Sequence, residues 1–198
     1  MIKLIFATNN EHKIDEMQAA IGNHVHILTL KEAGITINIE EPYDTLEENA
    51  RIKTDTIHRL TGMNCFGEDS GLEVNALGGA PGVKSARYAG EGRDHADNIK
   101  KLLHELKGSV DRSACFRTVI SLIWNDQEYQ FQGRCDGTII HETRGDMGFG
   151  YDPVFIPSGS KLTFAEMTMN EKNRFSHRKK AADGLVLFLQ QIVNPSGF

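Results

Sequence analysis

The hexapeptide Thr8-Asn9-Asn10-Glu11-His12-Lys13 joins an apolar run to the start of a helical pattern. A turn from a strand end into a helix N-terminus presents free backbone N–H groups and the positive end of the helix dipole, so it welcomes an anion. Thr8 and the two asparagines add donors there, and Lys13 adds a compact positive charge. A second group is acidic: Glu40 and Glu41 in one loop, then Glu68 and Asp69 after an apolar run. Mg²⁺ takes a few carboxylate oxygens and keeps waters and phosphates as its other ligands. Asp69 is followed by Ser70 and Gly71, small enough to let a phosphate approach, and a carboxylate there can also accept a proton from an attacking water. Lys53 lies four residues after Asn49 on one predicted helix face. Both point into a cleft if Ile52 and Ile57, read as the opposite face, pack inward.

Three further segments belong to the same inventory. Gly78-Gly79-Ala80-Pro81-Gly82, followed by Ser85-Ala86-Arg87-Tyr88, is a tightly turning loop read as structural. In Gly148-Phe149-Gly150-Tyr151-Asp152-Pro153 the flanking glycines let Phe149 stand clear of its backbone, where its ring can stack on a base and Asp152 can meet a base edge. Ser176-His177-Arg178 opens the last helix, with Lys172 just before it. A basic first turn opposes the helix dipole, so those donors suit keto oxygens or phosphate. Each segment also has a plain structural reading: an Asn-capped turn, solvated acids, a surface lysine, a bulge with Phe149 in the core, a capped amphipathic helix.

Positioning these residues requires a definite set of elements. Lys3 to Thr8 predicts a first strand, and Glu11 to Ile21 a helix capped by Asn10, with Ile14, Met17 and Ile21 inward and Gly22 as its stop. Val25 to Leu30 predicts a second strand. Thr45-Leu46-Glu47-Glu48 fits a capping box opening a helix to about Leu60. Asn64 to Glu68 predicts a short strand ending at Asp69-Ser70-Gly71, and Leu77 to Gly92 an irregular stretch. Asp94 caps a helix that ends at Gly108. Arg112 to Trp124, Glu128 to Gly133 and Thr138 to Glu142 predict successive strands, the first two joined at Asn125-Asp126, with a short one at Val154 to Ile156. Thr163 to Glu166 fits a second capping box. The last helix runs from Ser176 to about Val193, with Ala181, Leu185, Leu189 and Ile192 inward and Pro195 after its stop. Strand–helix alternation followed by antiparallel strands predicts an α/β protein with a mixed sheet.

Composition narrows the function class. At 198 residues the chain is long enough for a sizeable core, with 39% hydrophobic and 25% charged residues. A net charge of −5 argues against a nucleic-acid surface, and no apolar stretch approaches a membrane span. The apolar N-terminus, broken at once by Asn9, Asn10 and Glu11, is too short for a secretory signal, which predicts a cytoplasmic address. Cys65, Cys115 and Cys135 are widely spaced and read as reduced, buried thiols. His24 and His26 read as exposed residues of one strand face.

In order and spacing, these segments together resemble the Ham1 family of inosine/xanthosine triphosphate pyrophosphatases. The matching pieces are Thr8-Asn9-Asn10 with Lys13, Glu48-Asn49-Ala50 with Lys53, Asp69-Ser70-Gly71-Leu72, Leu77 to Gly82 with Ser85 to Tyr88, Gly148 to Pro153, and Ser176-His177-Arg178. The resemblance implies one domain over 1–198: an elongated, two-lobed α/β fold with a long mixed sheet, flanking helices and a central cleft, assembled as a homodimer. It implies a purine nucleoside triphosphate substrate such as ITP, dITP or XTP, cleaved with Mg²⁺ to the monophosphate and pyrophosphate. By the same resemblance Thr8, Asn9, Asn10, Glu11, His12, Lys13 and Ser70 contact the triphosphate, and Lys53 helps neutralise it. Asp69 binds the metal and acts as general base, with Glu40 as a second metal-site acid. Phe149, Gly150, Tyr151, Asp152, Lys172, His177 and Arg178 hold the base. Glu68 stands where many relatives carry Asp, which leaves Glu40, Glu41 and Glu68 as alternatives for completing the metal site. A pyrophosphatase for modified pyrimidine nucleotides and a non-catalytic nucleotide-binding module are the competing readings.

Overall fold

The computed structural model of the chain describes residues 2–193. In order it runs β1 (Ile2–Phe6), α1 (Glu11–Ile21), β2 (Val25–Thr29), α2 (Leu46–Thr61), β3 (Cys65–Val74), β4 (Pro81–Gly82), α3 (His95–Glu105), β5 (Ser113–Trp124), β6 (Gln127–Ile139), β7 (Phe155–Pro157), α4 (Met169–Asn173) and α5 (His177–Val193). The strands hydrogen-bond in the order β2-β1-β3-β5-β6-β7, with β4 added to β3. β1 is parallel to β2 and to β3, whereas β3–β4 and β6–β7 are antiparallel, so the sheet is mixed. The described residues divide into two compact units, one of 2–69, 118–133 and 178–193 and one of 70–117 and 134–177. Among them no helix is long and apolar enough to cross a membrane.

In the first unit the two faces of the sheet are legible residue by residue. Successive strand side chains point to opposite faces, and a parallel sheet is covered on both, so β1 is apolar at both parities. Leu4 and Phe6, with Phe66, Ile120 and Leu122, pack against Met17 and Ile21 of α1 and Ala181, Leu185 and Leu189 of α5. Phe6 and Phe66 stack at 4.4 Å. Ile5 and Ala7, with Cys65 and Ile123, pack instead with Ile57 of α2. The β5–β6 connection is the expected two-residue turn. Asn125 and Asp126 take φ of 49° and 63°, the left-handed pair a tight hairpin needs.

The second unit is built on Leu72, Val74, Ile99, Leu102, Phe116, Ile139, Phe155 and Phe164. Phe116 meets Phe155 edge-on at 4.7 Å. Arg112 is a buried clip: its Nε, Nη1 and Nη2 donate to the carbonyls of Ile139, Leu106 and Ile140 at 2.7, 3.0 and 3.0 Å, closing the end of α3 onto the strands.

Several boundaries differ from the sequence reading. β3 does not stop at Glu68 but continues to Val74, so Asp69 lies inside a strand. The continuation exists because Gly71 lets β4 approach: a Cβ there would stand 2.4 Å from the Gly82 carbonyl oxygen. The two strands expected over 128–142 are one, since exposed and buried residues alternate without a break through Gly133 and Gly137 to Ile139. α4 has no counterpart among the expected elements, although Thr168 and Glu171 form a capping box at its start. Ile192, expected inward, is exposed, because α5 outlasts the core at Leu189. Asn49, Lys53 and Ile57 share one buried face of α2 at spacings of four, while Ile52 is half-exposed, which reverses the expected opposition of Lys53 and Ile57. Pro195 lies outside the described residues.

Candidate functional site

In the first unit the parity of β3 decides what its two acids do. Glu68 shares the face of Phe66, towards α1 and α5, and it is fully buried. The Arg178 guanidinium grips it in a two-pronged pair, Nε to Oε2 at 2.9 Å and Nη2 to Oε1 at 3.1 Å. Lys13 approaches Oε1 at 3.1 Å. Arg178 Nη1 also donates to Glu16 of α1. Burial pushes the Glu68 carboxyl up, but Arg178 and Lys13 outweigh it and hold the group at about 2. Arg178 is therefore committed to two carboxylates within this unit.

Asp69 has the parity of Cys65 and meets α2. Its Oδ1 accepts from Lys53 Nζ at 2.9 Å. The same ammonium donates to the Glu68 carbonyl at 2.9 Å and pairs with Glu41 at 2.7 Å. Burial pushes Lys53 towards neutrality, but Asp69 and Glu41 more than reverse this and raise it above its usual range. Burial also dominates at Asp69, whose carboxyl is raised despite Lys53 and Lys13. Asp69 Oδ2 is buried with no hydrogen-bond partner. Glu68 pairs with Lys13 and Arg178, Arg178 also with Glu16, and Lys53 with both Glu41 and Asp69. A buried carboxylate oxygen without a hydrogen-bond partner, with the Glu41 carboxylate close by, is chemistry that fits a hard cation. Among the described residues no three His, Cys, Asp or Glu side chains gather to cage a metal.

The expected acids are redistributed accordingly. Glu40 is exposed, and its neighbour Glu41 is the one that reaches Lys53. Glu41 is set by Asn49, whose side chain clamps both the N–H (3.0 Å) and the carbonyl (2.9 Å) of Tyr43 two residues on. Glu68 points to the face opposite Asp69 and serves Arg178. At the β1–α1 turn, Asn10 caps α1 by accepting from Lys13 N–H at 3.2 Å, and Thr8 Oγ1 accepts from Asn10 N–H. Asn9 Nδ2 donates to the Ile37 carbonyl, while Glu11 and His12 are exposed in the first turn. Glu16 was missed. Its signal was an acid beside Met17, on a helix face that had to be buried.

In the second unit Phe149, Asp152 and Lys172 come together. Asp152 Oδ2 accepts from the Phe149 N–H at 3.0 Å and from the Lys172 ammonium, both side chains being buried. The ammonium lies 5.5 Å from the centre of the half-exposed Phe149 ring. A Cβ on Gly148, at φ +74°, would fall 2.1 Å from Asp152 Oδ2, so only glycine fits. Asp152 is thus an internal brace of the loop rather than an open base-edge partner. Tyr151 is core, its hydroxyl donating to the Ser85 carbonyl at 2.9 Å. His177 is also buried, stacked on Phe116 at 4.9 Å. Ser70, next along the chain from Asp69, is half-buried. The thiols of Cys65 and Cys115 are buried and pushed up to about 12 and 11.

Comparison with known proteins adds an independent line. The chain is 50% identical over 190 residues to a dITP/XTP pyrophosphatase of Porphyromonas gingivalis, covering 96% of this chain and 98% of that one. It is 45% identical over 190 residues to a dITP/XTP pyrophosphatase of Christiangramia forsetii, covering 96% of this chain and all of the relative. Among solved structures, the Staphylococcus aureus Ham1 protein superposes with a TM-score of 0.87 at 37% identity, covering 96% and 99% of the two chains. A Coxiella burnetii HAM1 protein gives the same score and identity over 96% and 100%. The Ham1 family profile matches residues 4–188, and the chain belongs to that family.

Proposed function

We propose that the chain hydrolyses non-standard purine nucleoside triphosphates, dITP, XTP and ITP, to the monophosphate and pyrophosphate with Mg²⁺. The observation that carries this reading is Asp69: one carboxylate oxygen fixed by Lys53, the other buried and unpartnered. The names of the relatives support the substrate class. In the reaction a water oxygen attacks the α-phosphorus in line. The bond to the α–β bridging oxygen breaks, and its electron pair leaves on pyrophosphate. Asp69 Oδ2 takes the proton of the attacking water, a role its raised carboxyl suits. Asp69 and the nearby Glu41 are the side chains that would hold Mg²⁺, which when bound offsets phosphate charge. Lys53 keeps Asp69 oriented, and Lys13 and the α1 N-terminus favour the triphosphate. Phe149 supplies a half-exposed ring for a purine to stack on.

The test is pyrophosphate release from dITP, XTP, ITP, GTP, ATP and a modified pyrimidine triphosphate, with Mg²⁺ and with chelator. Preference for the hypoxanthine and xanthine nucleotides, lost with chelator, is expected. Equal turnover of ATP, a pyrimidine preference, or binding without pyrophosphate release rejects the reading.

A further inference from the structure

His95 is the first residue of α3, directly after the cap Asp94, whose carboxylate accepts from the Asp97 N–H at 2.8 Å. The helix is a firm support. Ile99 and Leu102 are buried in the core of the second unit, and the Asn98 side chain bridges the Ala86 carbonyl (3.0 Å) and the Ala89 N–H (2.7 Å). From this support the His95 ring makes two contacts to the 148–152 loop. Its Nδ1 accepts from the Gly150 N–H. Its ring meets Phe149 edge-on, centroids 6.2 Å apart and planes at 64°. Accepting from an N–H requires a lone pair at Nδ1, so the ring proton of the neutral imidazole sits at Nε2.

The loop needs such a brace. Gly148 and Gly150 have φ of 74° and 61°, and glycine leaves the backbone on either side of Phe149 with the fewest conformational limits. The Asp152–Phe149 hydrogen bonds tie the loop to itself. Lys172 fixes Asp152 and one side of the Phe149 ring. His95 adds a tie from a different element, at the residue immediately after the ring.

We propose that His95 is a positioning residue for base recognition: by holding Gly150 and meeting the edge of Phe149 it fixes the ring on which the purine stacks. This rests on the reading above that Phe149 receives the base. The two contacts of its ring go to Gly150 and Phe149, so its loss should be felt in substrate affinity and not in the bond-breaking step.

The test compares wild type, His95→Ala and His95→Asn, the last keeping a short side-chain acceptor. His95 is exposed, so neither change empties a core. Amide hydrogen exchange reads the Gly150 N–H directly. Exchange should be about tenfold faster in the alanine variant and slowed again in the asparagine variant. With XTP, the alanine variant should show KM raised about three- to tenfold, the size of one lost hydrogen bond, with kcat within about twofold. Partial recovery of KM in the asparagine variant is expected. Unchanged exchange at Gly150 overturns the proposal, as does faster exchange with unchanged KM, or a fall in kcat alone. Wild-type protein that releases no pyrophosphate from XTP rejects the functional reading and the base-positioning role together, and the exchange measurement then still shows whether His95 holds the loop.

Discussion

Replacing Glu68 with Gln changes one charge and almost no volume, at a carboxylate gripped by Arg178 and Lys13. The folded value of about 2 lies below the ordinary 4.5. Ionised Glu68 therefore favours the folded chain above roughly pH 4.5, and this contribution drains away as pH falls towards about 2. At pH 7 this contribution is on the order of 3 kcal/mol. By the same linkage roughly half of it is left at pH 3. The assay is urea unfolding of wild type and Glu68→Gln followed by Trp124 fluorescence. Trp124 is the sole tryptophan and packs on the core that Glu68 adjoins. The stability difference should be about 3 kcal/mol at pH 7, roughly 6–12 °C in Tm for a chain of this size, and should halve by pH 3. A difference below about 1 kcal/mol at pH 7, or one that does not change between pH 7 and 3, refutes the assignment of Glu68 as the charge partner of Arg178.

Asp69→Asn should abolish pyrophosphate release without lowering the urea midpoint at pH 7. Burial raises the Asp69 carboxyl, so stability falls as pH rises from the ordinary carboxylate value through the raised one, and asparagine removes that burden. Near-normal turnover, or a large loss of stability, would count against Asp69 as base and metal ligand. Arg112→Lys keeps the charge but loses the planar fork that spans the Leu106, Ile139 and Ile140 carbonyls. About 2 kcal/mol or more of stability should go with it, seen as faster hydrogen exchange at the end of α3 and along β6. Unchanged protection there would show the clip to be dispensable.

The sequence carried the element order because its signals were local: Asn10, Thr45 and Asp94 each cap the helix they precede, and Asn125-Asp126 makes the hairpin. Non-local facts were hidden. Glycine at 71, 133 and 137 reads as a strand end, yet each lies within a strand, and whether a neighbouring backbone comes close, as Gly82 does to Gly71, is decided elsewhere in the chain. The choice between Glu40 and Glu41 was hidden for the same reason. It turns on which one Lys53 meets, and that depends on Asn49 clamping Tyr43. Arg178 reads as a donor for the base, and its bond to Glu16, 162 positions away, is not legible locally.

The adjacent acids Glu68 and Asp69 have opposite surroundings because a strand sends neighbours to opposite faces. One acid is pulled far down by two cations and locked. The other is pushed up by burial and left with a free oxygen. Two carboxylates whose surroundings drive them apart suit different roles, a structural anion and, on the proposed reading, a proton acceptor. Lys53 is the joint between them, since it donates at once to the Glu68 backbone carbonyl and to the Asp69 side chain. Holding the backbone of one acid and the carboxylate of the next ties the Asp69 side chain to the rigid strand. Lengthening Asp69 by a methylene would break that registration even with its charge intact, because the lysine holds a carbonyl and a carboxylate oxygen at the same distance, 2.9 Å.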